Sequence, residues 1–250
     1  MPNFKQTAGY VGPTLADGAS LAEVFDGVRG AAPRLAFYRG TKSRKMIAEF
    51  PSHVSGDPKI PEFLKTEAAL IRGSEDGAYD HTLQLSTQFG CIYECAFCPS
   101  AKNKLLAQIP AEYEAFMVDR LIKEAKIPDD ATIRIACVGE GDPGANAKHM
   151  IQLIRRLPEL HPGIGHIRLS TAGALAGIQQ LTEAARQRLF PDDVIVELQV
   201  SFHHTDDERR RVLIPKPGIK LDRFAEAAAE FVREYNDHYV DSLLMARFVK

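Results

Sequence analysis

The residues best suited to chemistry are three closely spaced cysteines, Cys91, Cys95 and Cys98, in the pattern Cys-x3-Cys-x2-Cys. This spacing suits a metal centre better than a disulfide framework. Three thiolates on one loop can bind three irons of a 4Fe–4S cluster and leave the fourth iron open to a small molecule. One alternative is zinc, which takes four ligands, although the only other thiol is Cys137, inside a predicted strand. The other is three unconnected buried thiols.

A second segment with chemical potential is Gly139-Glu140-Gly141-Asp142-Pro143. Its glycines allow the backbone to approach a ligand closely. The Asp142 carboxylate suits a hydrogen bond to an ammonium group. The alternative interpretation is an ordinary Gly-Asp-Pro turn.

Polar side chains also stand where two further strands are predicted to end, at Ser170 and Ser201, with His203 close behind. Hydroxyl groups there can contact a ligand, or they can satisfy the local backbone. His203 lies beside His204, so a solvated loop residue is the alternative to a ligand contact.

The elements that must position these residues alternate between strands and helices. Apolar, β-branched runs predict buried parallel strands over Thr82–Ser86, Thr132–Val138, His166–Thr171, Val194–Ser201 and Tyr239–Val249. Helical spacing of apolar residues predicts amphipathic helices over Glu112–Ala125, Ala147–Leu157, Ile178–Leu189 and Leu221–Tyr235. This alternation indicates an α/β fold with a parallel sheet. Ligands of such folds lie at the carboxyl ends of the strands, where the residues above are placed.

The first eighty residues have a different pattern. They predict a helix beginning at Ser20, a strand over Lys45–Phe50, a second helix over Pro61–Ile71 and a polar link over Gly73–Gly77. We therefore expect an α+β extension over residues 1–80, packed against a barrel-like α/β domain over residues 81–250. A parallel sheet of this kind normally continues beyond a fifth strand, so the sequence predicts either a truncated chain or an unusually short domain.

Composition narrows the class of protein. The chain is 45% hydrophobic and 26% charged, as soluble globular proteins are. No apolar run approaches the roughly 18 residues of a membrane span, and the N-terminus lacks the apolar region of a secretory signal. Free cysteines suit a reducing compartment, so we expect a cytoplasmic protein with no membrane partner. The net charge of -2 argues against a nucleic-acid partner, because such binders usually carry a basic excess.

The cysteine pattern, with Phe97 before its third member and a predicted strand before its first, resembles that of the radical S-adenosylmethionine (SAM) superfamily. This resemblance implies a partial (β/α)6 TIM-like barrel and an oxygen-sensitive 4Fe–4S cluster held by Cys91, Cys95 and Cys98. It also implies that the open iron chelates SAM. A one-electron donor of the flavodoxin or ferredoxin type would then drive cleavage of SAM to a 5′-deoxyadenosyl radical.

Longer segments resemble the rRNA adenine (C2/C8) methyltransferases of that superfamily. Residues 86–91 match their Ser-x-Gln-x-Gly-Cys, residues 139–146 their Gly-x-Gly-Glu-Pro-x-x-Asn, and residues 170–173 their Ser-Thr-x-Gly. Residues 201–203, with Arg210 and Pro215 downstream, match their Ser-Leu-His segment. The resemblance implies that Asp142, where the family usually has Glu, holds the amino group of SAM. The SAM contacts implied in this way are Phe97, Gly141, Asp142, Pro143, Ser170, Ser201 and His203.

The resemblance fails at the two extra cysteines through which those methyltransferases work. One of their positions is occupied here by Gln84, and no cysteine follows Cys137. An amide cannot replace a thiol in a covalent thioether route. We therefore predict a radical SAM enzyme that abstracts hydrogen from an unidentified substrate, with its catalytic residue unknown. The alternatives are an RNA adenine methyltransferase-like enzyme with a variant route and a zinc-stabilised binding module.

Overall fold

The computed structural model describes residues 5–10, 33–52, 59–216, 219–239 and 247–249. The described strands are β1 (Lys5–Tyr10), β2 (Arg34–Arg39), β3 (Ser43–Pro51), β4 (Phe63–Arg72), β5 (His81–Leu85), β6 (Gln88–Phe89), β7 (Ala107–Gln108), β8 (Ile133–Cys137), β9 (Ile164–Thr171), β10 (Ile195–Ser201) and β11 (Arg247–Val249). The described helices are α1 (Ala111–Ala125), α2 (Ala147–Leu160), α3 (Leu175–Arg186), α4 (Asp207–Leu213) and α5 (Leu221–His238). Within those ranges, no helix is both long enough and apolar enough to cross a membrane.

Nine of the strands form one sheet in the order β1-β2-β3-β4-β5-β8-β9-β10-β11. The pairs from β1 to β5 are antiparallel. The pairs from β5 to β11 are parallel, with helices in the connections between them. Strands β6 and β7 form a separate antiparallel pair within the long connection from β5 to β8. The protein is thus a mixed α/β fold with a parallel half, as the alternation of strands and helices predicts.

The two faces of the parallel half differ in chemistry. One face carries fully buried aliphatic side chains such as Ile135, Leu169 and Leu198. It meets the helices: the Cys137 sulfur lies 4.0 Å from that of Met150 on α2. Because successive strand residues point to opposite faces, the opposite face carries the polar side chains of Thr82, Gln84, Arg134, His166, Arg168, Ser170, Glu197, Gln199 and Ser201. The candidate site residues of β9 and β10 belong to this polar face.

Four predicted strands are confirmed as β5, β8, β9 and β10, and the predicted strand Lys45–Phe50 lies inside β3. The four predicted amphipathic helices correspond to α1, α2, α3 and α5. Of the predicted strand Tyr239–Val249, Tyr239 is instead the C-cap residue that follows α5, and Arg247–Val249 is β11. Residues 240–246, and the helix predicted from Ser20, lie outside the described residues.

The helix predicted over Pro61–Ile71 is wrong, because most of this segment forms β4. Its burial alternates along the strand, with Leu64, Thr66, Ala68 and Leu70 buried, as a period of two requires. The strand pairs with β3 on one side and with β5 on the other. Hydrogen bonding along both edges outweighs the helical preference of its Ala, Leu, Lys and Glu residues.

Strand β4 continues the sheet across residue 80, since Ala68 pairs with Leu85 and Arg72 with His81. The Ser86 hydroxyl adds a second link, because it donates to the Glu67 carbonyl at 2.9 Å. The division at residue 80 and the partial barrel remain predictions.

Candidate functional site

The loop that carries the three cysteines, residues 86–104, is held by backbone hydrogen bonds at the carboxyl end of β5. The Cys91 N–H donates to the Asn103 carbonyl at 3.0 Å, and the Cys98 N–H donates to the Cys95 carbonyl at 3.0 Å. Gly90 has φ +83, and a Cβ placed there would lie 2.0 Å from the Lys104 carbonyl oxygen. A glycine is therefore required where the two arms of this cluster-binding loop meet.

The three thiols of this loop are free and partly exposed. Burial, followed by the charges of the other two thiols, raises the pKa of Cys95 to about 11. Burial also raises the pKa of Cys91, although N–H groups of Tyr93 and Gly141 point at its sulfur and oppose the shift. The thiols are therefore close enough to interact, and N–H groups stand ready for a thiolate, as around iron–sulfur clusters.

In the part of the chain that the structure describes, no three His, Cys, Asp or Glu side chains converge closely enough to hold one metal ion. A cubic cluster makes a different demand, because each of its thiolates binds a separate iron. The cluster-binding loop offers three partly exposed thiols, one for each of three irons. N–H groups at the Cys91 sulfur could stabilise a thiolate there.

Gln88 joins this loop to the loop after β8. Its side-chain oxygen accepts from the Asp142 N–H at 3.1 Å, and its side-chain nitrogen donates to Gln108 at 3.0 Å. Gly141, which has φ +97, packs against Gln88. A Cβ added at Gly141 would lie 2.6 Å from the Cβ of Gln88. The sequence predicts that the backbone at Gly141 approaches a ligand closely. In the structure, what it approaches closely is the Gln88 residue.

Glu140 provides a second tie between the same two loops. Its carboxylate accepts from the Gly90 N–H at 3.1 Å and from the Asn103 side-chain nitrogen at 2.6 Å. The sequence assigned no role to this residue. It fixes the start and the end of the cluster-binding loop at once.

Asp142 is buried, with 3% of its surface exposed. Its carboxylate accepts from the Thr171 hydroxyl at 2.8 Å and from the N–H groups of Ala172 and Ala145, at 2.6 and 3.1 Å. Burial raises its pKa to about 6, and these hydrogen bonds oppose that rise. Asp142 therefore joins the ends of β8 and β9 and places negative charge near Cys91, whose pKa it helps to raise. Pro143 follows it, buried at the start of a short turn, Gly144–Asn146.

The predicted serines lie on the polar face at the ends of adjacent strands. The Ser170 hydroxyl donates to the side-chain oxygen of Gln199, its neighbour across the β9–β10 pair. Ser201 is the last residue of β10 and is half-buried. Gln199 was not singled out from the sequence, since its position opposite Ser170 depends on strand register.

Phe97 and His203 are brought into contact, with ring centroids 4.5 Å apart. Phe97 is 53% exposed, and His203 has φ +59. Burial and, to a lesser extent, the charge of Arg210 lower the pKa of His203. These two rings form one exposed edge of the site.

Arg210 is buried behind these strand ends. Its guanidinium donates to the carbonyls of Ala172, Phe202 and Ser201. Arg210 therefore fixes the ends of β9 and β10 relative to each other. Asn146 has a similar role, since its side-chain nitrogen donates to the carbonyls of Thr87 and Ile109 at 2.8 and 2.9 Å.

The remaining residues singled out from the sequence lie elsewhere. Cys137 is fully buried on the apolar face, against α2, away from the cluster-binding loop. Gln84 lies on the polar face of β5, between Ala69 of β4 and Ala136 of β8.

A cavity of about 940 Å³ opens between the cluster-binding loop and strands β3 and β4. Its lining includes Gly90, Cys98, Glu140, Phe63 and Lys65. One of the three thiols thus faces a space large enough for a small organic molecule.

The two curated relatives described here both bear the name of an RNA methyltransferase. The chain is 29% identical over 179 residues to the probable dual-specificity RNA methyltransferase RlmN of Symbiobacterium thermophilum, covering 69% of this chain and 44% of that protein. It is 31% identical over 174 residues to the probable dual-specificity RNA methyltransferase RlmN of Natranaerobius thermophilus, covering 66% and 46%. The chain thus spans less than half the length of these two relatives.

A radical SAM methyltransferase from Sphaerobacter thermophilus has a similar fold. The TM-score is 0.61 at 20% identity, over 94% of this chain and 56% of that one. No protein-family model matches the chain. The curated relatives are RNA methyltransferases and the solved structure of similar fold is a radical SAM methyltransferase, so the comparisons support the resemblance of this chain to the radical SAM superfamily and to its rRNA adenine methyltransferase branch.

Proposed function

We propose that this protein is a radical SAM enzyme that abstracts hydrogen from a substrate in the cavity beside Cys98. The observation that carries the proposal is the arrangement of three thiols on one loop, which Gln88 and Glu140 join to the carboxyl end of the parallel strands. Charged and hydroxyl side chains meet at that same end, as the binding of a polar cofactor requires.

Cys91, Cys95 and Cys98 would hold a 4Fe–4S cluster, and Asp142, Ser170, Ser201 and His203 would bind SAM. When bound, the cluster and SAM supply a 5′-deoxyadenosyl radical after one electron arrives from a flavodoxin- or ferredoxin-type donor. Gly141 offers its N–H to the Cys91 sulfur. The rings of Phe97 and His203 cover the outer side of the site. The protein's own task is to position the reactants and to exclude water.

Asp142 has a defined part in this proposal. An ionised carboxylate has about four acceptor positions. Three hydrogen bonds, from Thr171, Ala172 and Ala145, already occupy Asp142, and the Gly144 N–H is also directed at it. We assign its charge to attraction of the SAM ammonium group, while its existing hydrogen bonds keep the carboxylate in place. A cytoplasmic location completes the proposal, because free thiols persist in reducing compartments.

The test is formation of 5′-deoxyadenosine by anaerobically reconstituted protein mixed with SAM and dithionite, followed by chromatography. We expect product from the unaltered chain and none from Cys95→Ala. Cys137→Ala is the matched control, because its thiol lies on the apolar face. Equal product from Cys95→Ala and the unaltered chain would overturn the proposal.

RNA methylation is the second candidate, because the curated relatives bear the name of RNA methyltransferases. These names weaken the expectation, based on net charge, that nucleic acid is not a partner. The position of Gln84 opposes a thiol-dependent route. Incubation of RNA with methyl-labelled SAM decides between them. The primary proposal expects no label in RNA, and label that survives digestion to nucleosides would establish the second candidate.

A further inference from the structure

Glu140, in the loop after β8, is bound to the cluster-binding loop through its backbone as well as its side chain. Its N–H donates to the Ser86 hydroxyl at 3.1 Å, and its carbonyl accepts from the N–H groups of Thr87 and Gln88 at 2.8 and 3.3 Å. A Cβ at the preceding residue, Gly139, would lie 2.6 Å from the Ser86 hydroxyl oxygen. The backbone at Glu140 is therefore fixed against the carboxyl end of β5, and its side chain starts from one defined position.

The Glu140 carboxylate bridges the two ends of the cluster-binding loop. One of its oxygens accepts from the Gly90 N–H at 3.1 Å, and the other accepts from the Asn103 side-chain nitrogen at 2.6 Å. Gly90 directly precedes Cys91, and the Asn103 carbonyl accepts from the Cys91 N–H at 3.0 Å. The carboxylate therefore closes a ring of covalent and hydrogen bonds that contains the backbone of Cys91, the first cysteine of the motif.

The same contacts connect Cys91 to Cys98. The short turn Pro99–Lys102 begins directly after Cys98 and is closed by the N–H of Asn103. Because Asn103 also holds the backbone of Cys91, its side chain is the point through which Glu140 acts on both cysteines. A displacement of Asn103 would change the spacing of the first and third thiols, and a bound constellation of ligands depends on such spacing.

The charge of Glu140 is a second feature of this residue. Glu140 is half-buried and lines the cavity beside Cys98. Its carboxylate accepts from two N–H groups and forms no ion pair with a described residue. Reduction adds negative charge to an iron–sulfur cluster, so an unpaired carboxylate beside the cluster favours the oxidised form and lowers the reduction potential.

We propose that Glu140 is a positioning residue for the iron–sulfur cluster. Its side chain sets the spacing of Cys91 and Cys98, and its charge lowers the reduction potential of the cluster. This inference rests on the proposed function, since it requires the cluster. The Gly-x-Gly-Glu-Pro segment that residues 139–143 resemble leaves the position of Glu140 unspecified, so the role comes from the contacts of this chain.

The first measurement follows hydrogen exchange at the Gly90 and Cys91 amides by NMR, in the full chain before cluster loading. Glu140→Ala removes both side-chain hydrogen bonds, so exchange at these amides should be about tenfold faster. Glu140→Gln keeps an oxygen that can accept from Gly90 and should recover most of the protection. Glu94→Ala is the matched control and should change exchange less than about twofold. Glu94 lies in the same loop, but its side chain accepts from Lys216 at 2.9 Å.

The second measurement is a redox titration of the reconstituted cluster, followed by electron paramagnetic resonance. Glu140→Gln removes the charge while keeping an acceptor, so the ratio of reduced to oxidised cluster at a fixed potential should rise about fivefold. A purely structural role would leave this ratio unchanged. Glu94→Gln should change the ratio less than about twofold, because the Glu94 charge is exposed and paired with Lys216.

Three results would count against these assignments. Unchanged exchange at Gly90 and Cys91 in Glu140→Ala would overturn the positioning role, and so would equal redox ratios for Glu140→Gln and Glu94→Gln. If thermal unfolding shows that Glu140→Ala is not folded, the redox ratio of Glu140→Gln decides. An unaltered chain that binds no iron would overturn the proposed function instead, and the exchange rates, which need no cluster, distinguish the two failures.

Discussion

The carboxylate of Asp142 connects the loops after β8 and β9, through the Ala145 N–H on one side and the Thr171 hydroxyl and Ala172 N–H on the other. A single side chain thereby sets the distance between two strand ends. The same burial that makes this contact strong also makes the charged form costly, so the pKa of Asp142 rises to about 6.

Affinity for SAM should depend on the protonation of Asp142. Because its pKa is about 6, the carboxylate is ionised at pH 8 and increasingly protonated below pH 6. The Kd for SAM should therefore rise as the pH falls through 6, by up to about tenfold per unit. Equilibrium dialysis between pH 8 and pH 5.5 measures this. Asp142→Asn is the comparison, and a Kd of the unaltered protein that is as independent of pH as that of the variant would contradict the role.

Gly141→Ala tests the close approach to Gln88. The added methyl would lie 2.6 Å from the Gln88 Cβ and 2.7 Å from its backbone nitrogen, at φ +97. We expect a loss of unfolding free energy of about 2 kcal/mol or more. Gly77→Ala is the matched control, since it also has positive φ but no atom within 4 Å. Urea unfolding compares them, and equal losses would show that packing against Gln88 is unimportant.

At the scale of elements, the site depends on contacts between strand ends. Arg210, near the end of α4, donates to three carbonyls of the residues that end or follow β9 and β10. These carbonyls are distant in sequence from the arginine, so a run of charged residues at 206–211 gives no sign of the contact. In the sequence, Arg210 was singled out only by the resemblance to the rRNA adenine methyltransferases, which have an Arg downstream of their Ser-Leu-His segment.

Arg210→Ala should leave those carbonyls without their donor. We expect a loss of about 2–3 kcal/mol of unfolding free energy, and Arg210→Lys should recover only part, because an ammonium group lacks the planar fork of donors. The neighbouring exposed residue gives the control, since Arg211→Ala should change stability by less than about 0.5 kcal/mol. If the two alanine variants unfold at the same urea concentration, the assigned contact has no energetic importance.

The elements themselves were largely predictable where periodicity is strong. Strands β8, β9 and β10 are short apolar runs, and α2 repeats Met150, Leu153, Ile154 and Leu157 on one buried face. Strand β4 was missed because its composition favours a helix while its conformation is decided by pairing with β3 and β5. Pairing between segments is not visible in local composition.

At the scale of the whole molecule, one sheet joins antiparallel strands to the parallel strands that carry the site. The cysteine spacing and the strand-end loops could be predicted because both depend on local sequence. The ties made by Gln88, Glu140 and Asn146 could not be predicted, because each joins segments that meet only after folding.

The most direct test of the account is the metal content of anaerobically reconstituted protein. We predict about four irons and four sulfides per chain, with Cys137→Ala unchanged and each of Cys91→Ala, Cys95→Ala and Cys98→Ala strongly depleted. A chain that retains one zinc and no iron, or that keeps its full iron content without these thiols, would contradict the central claim.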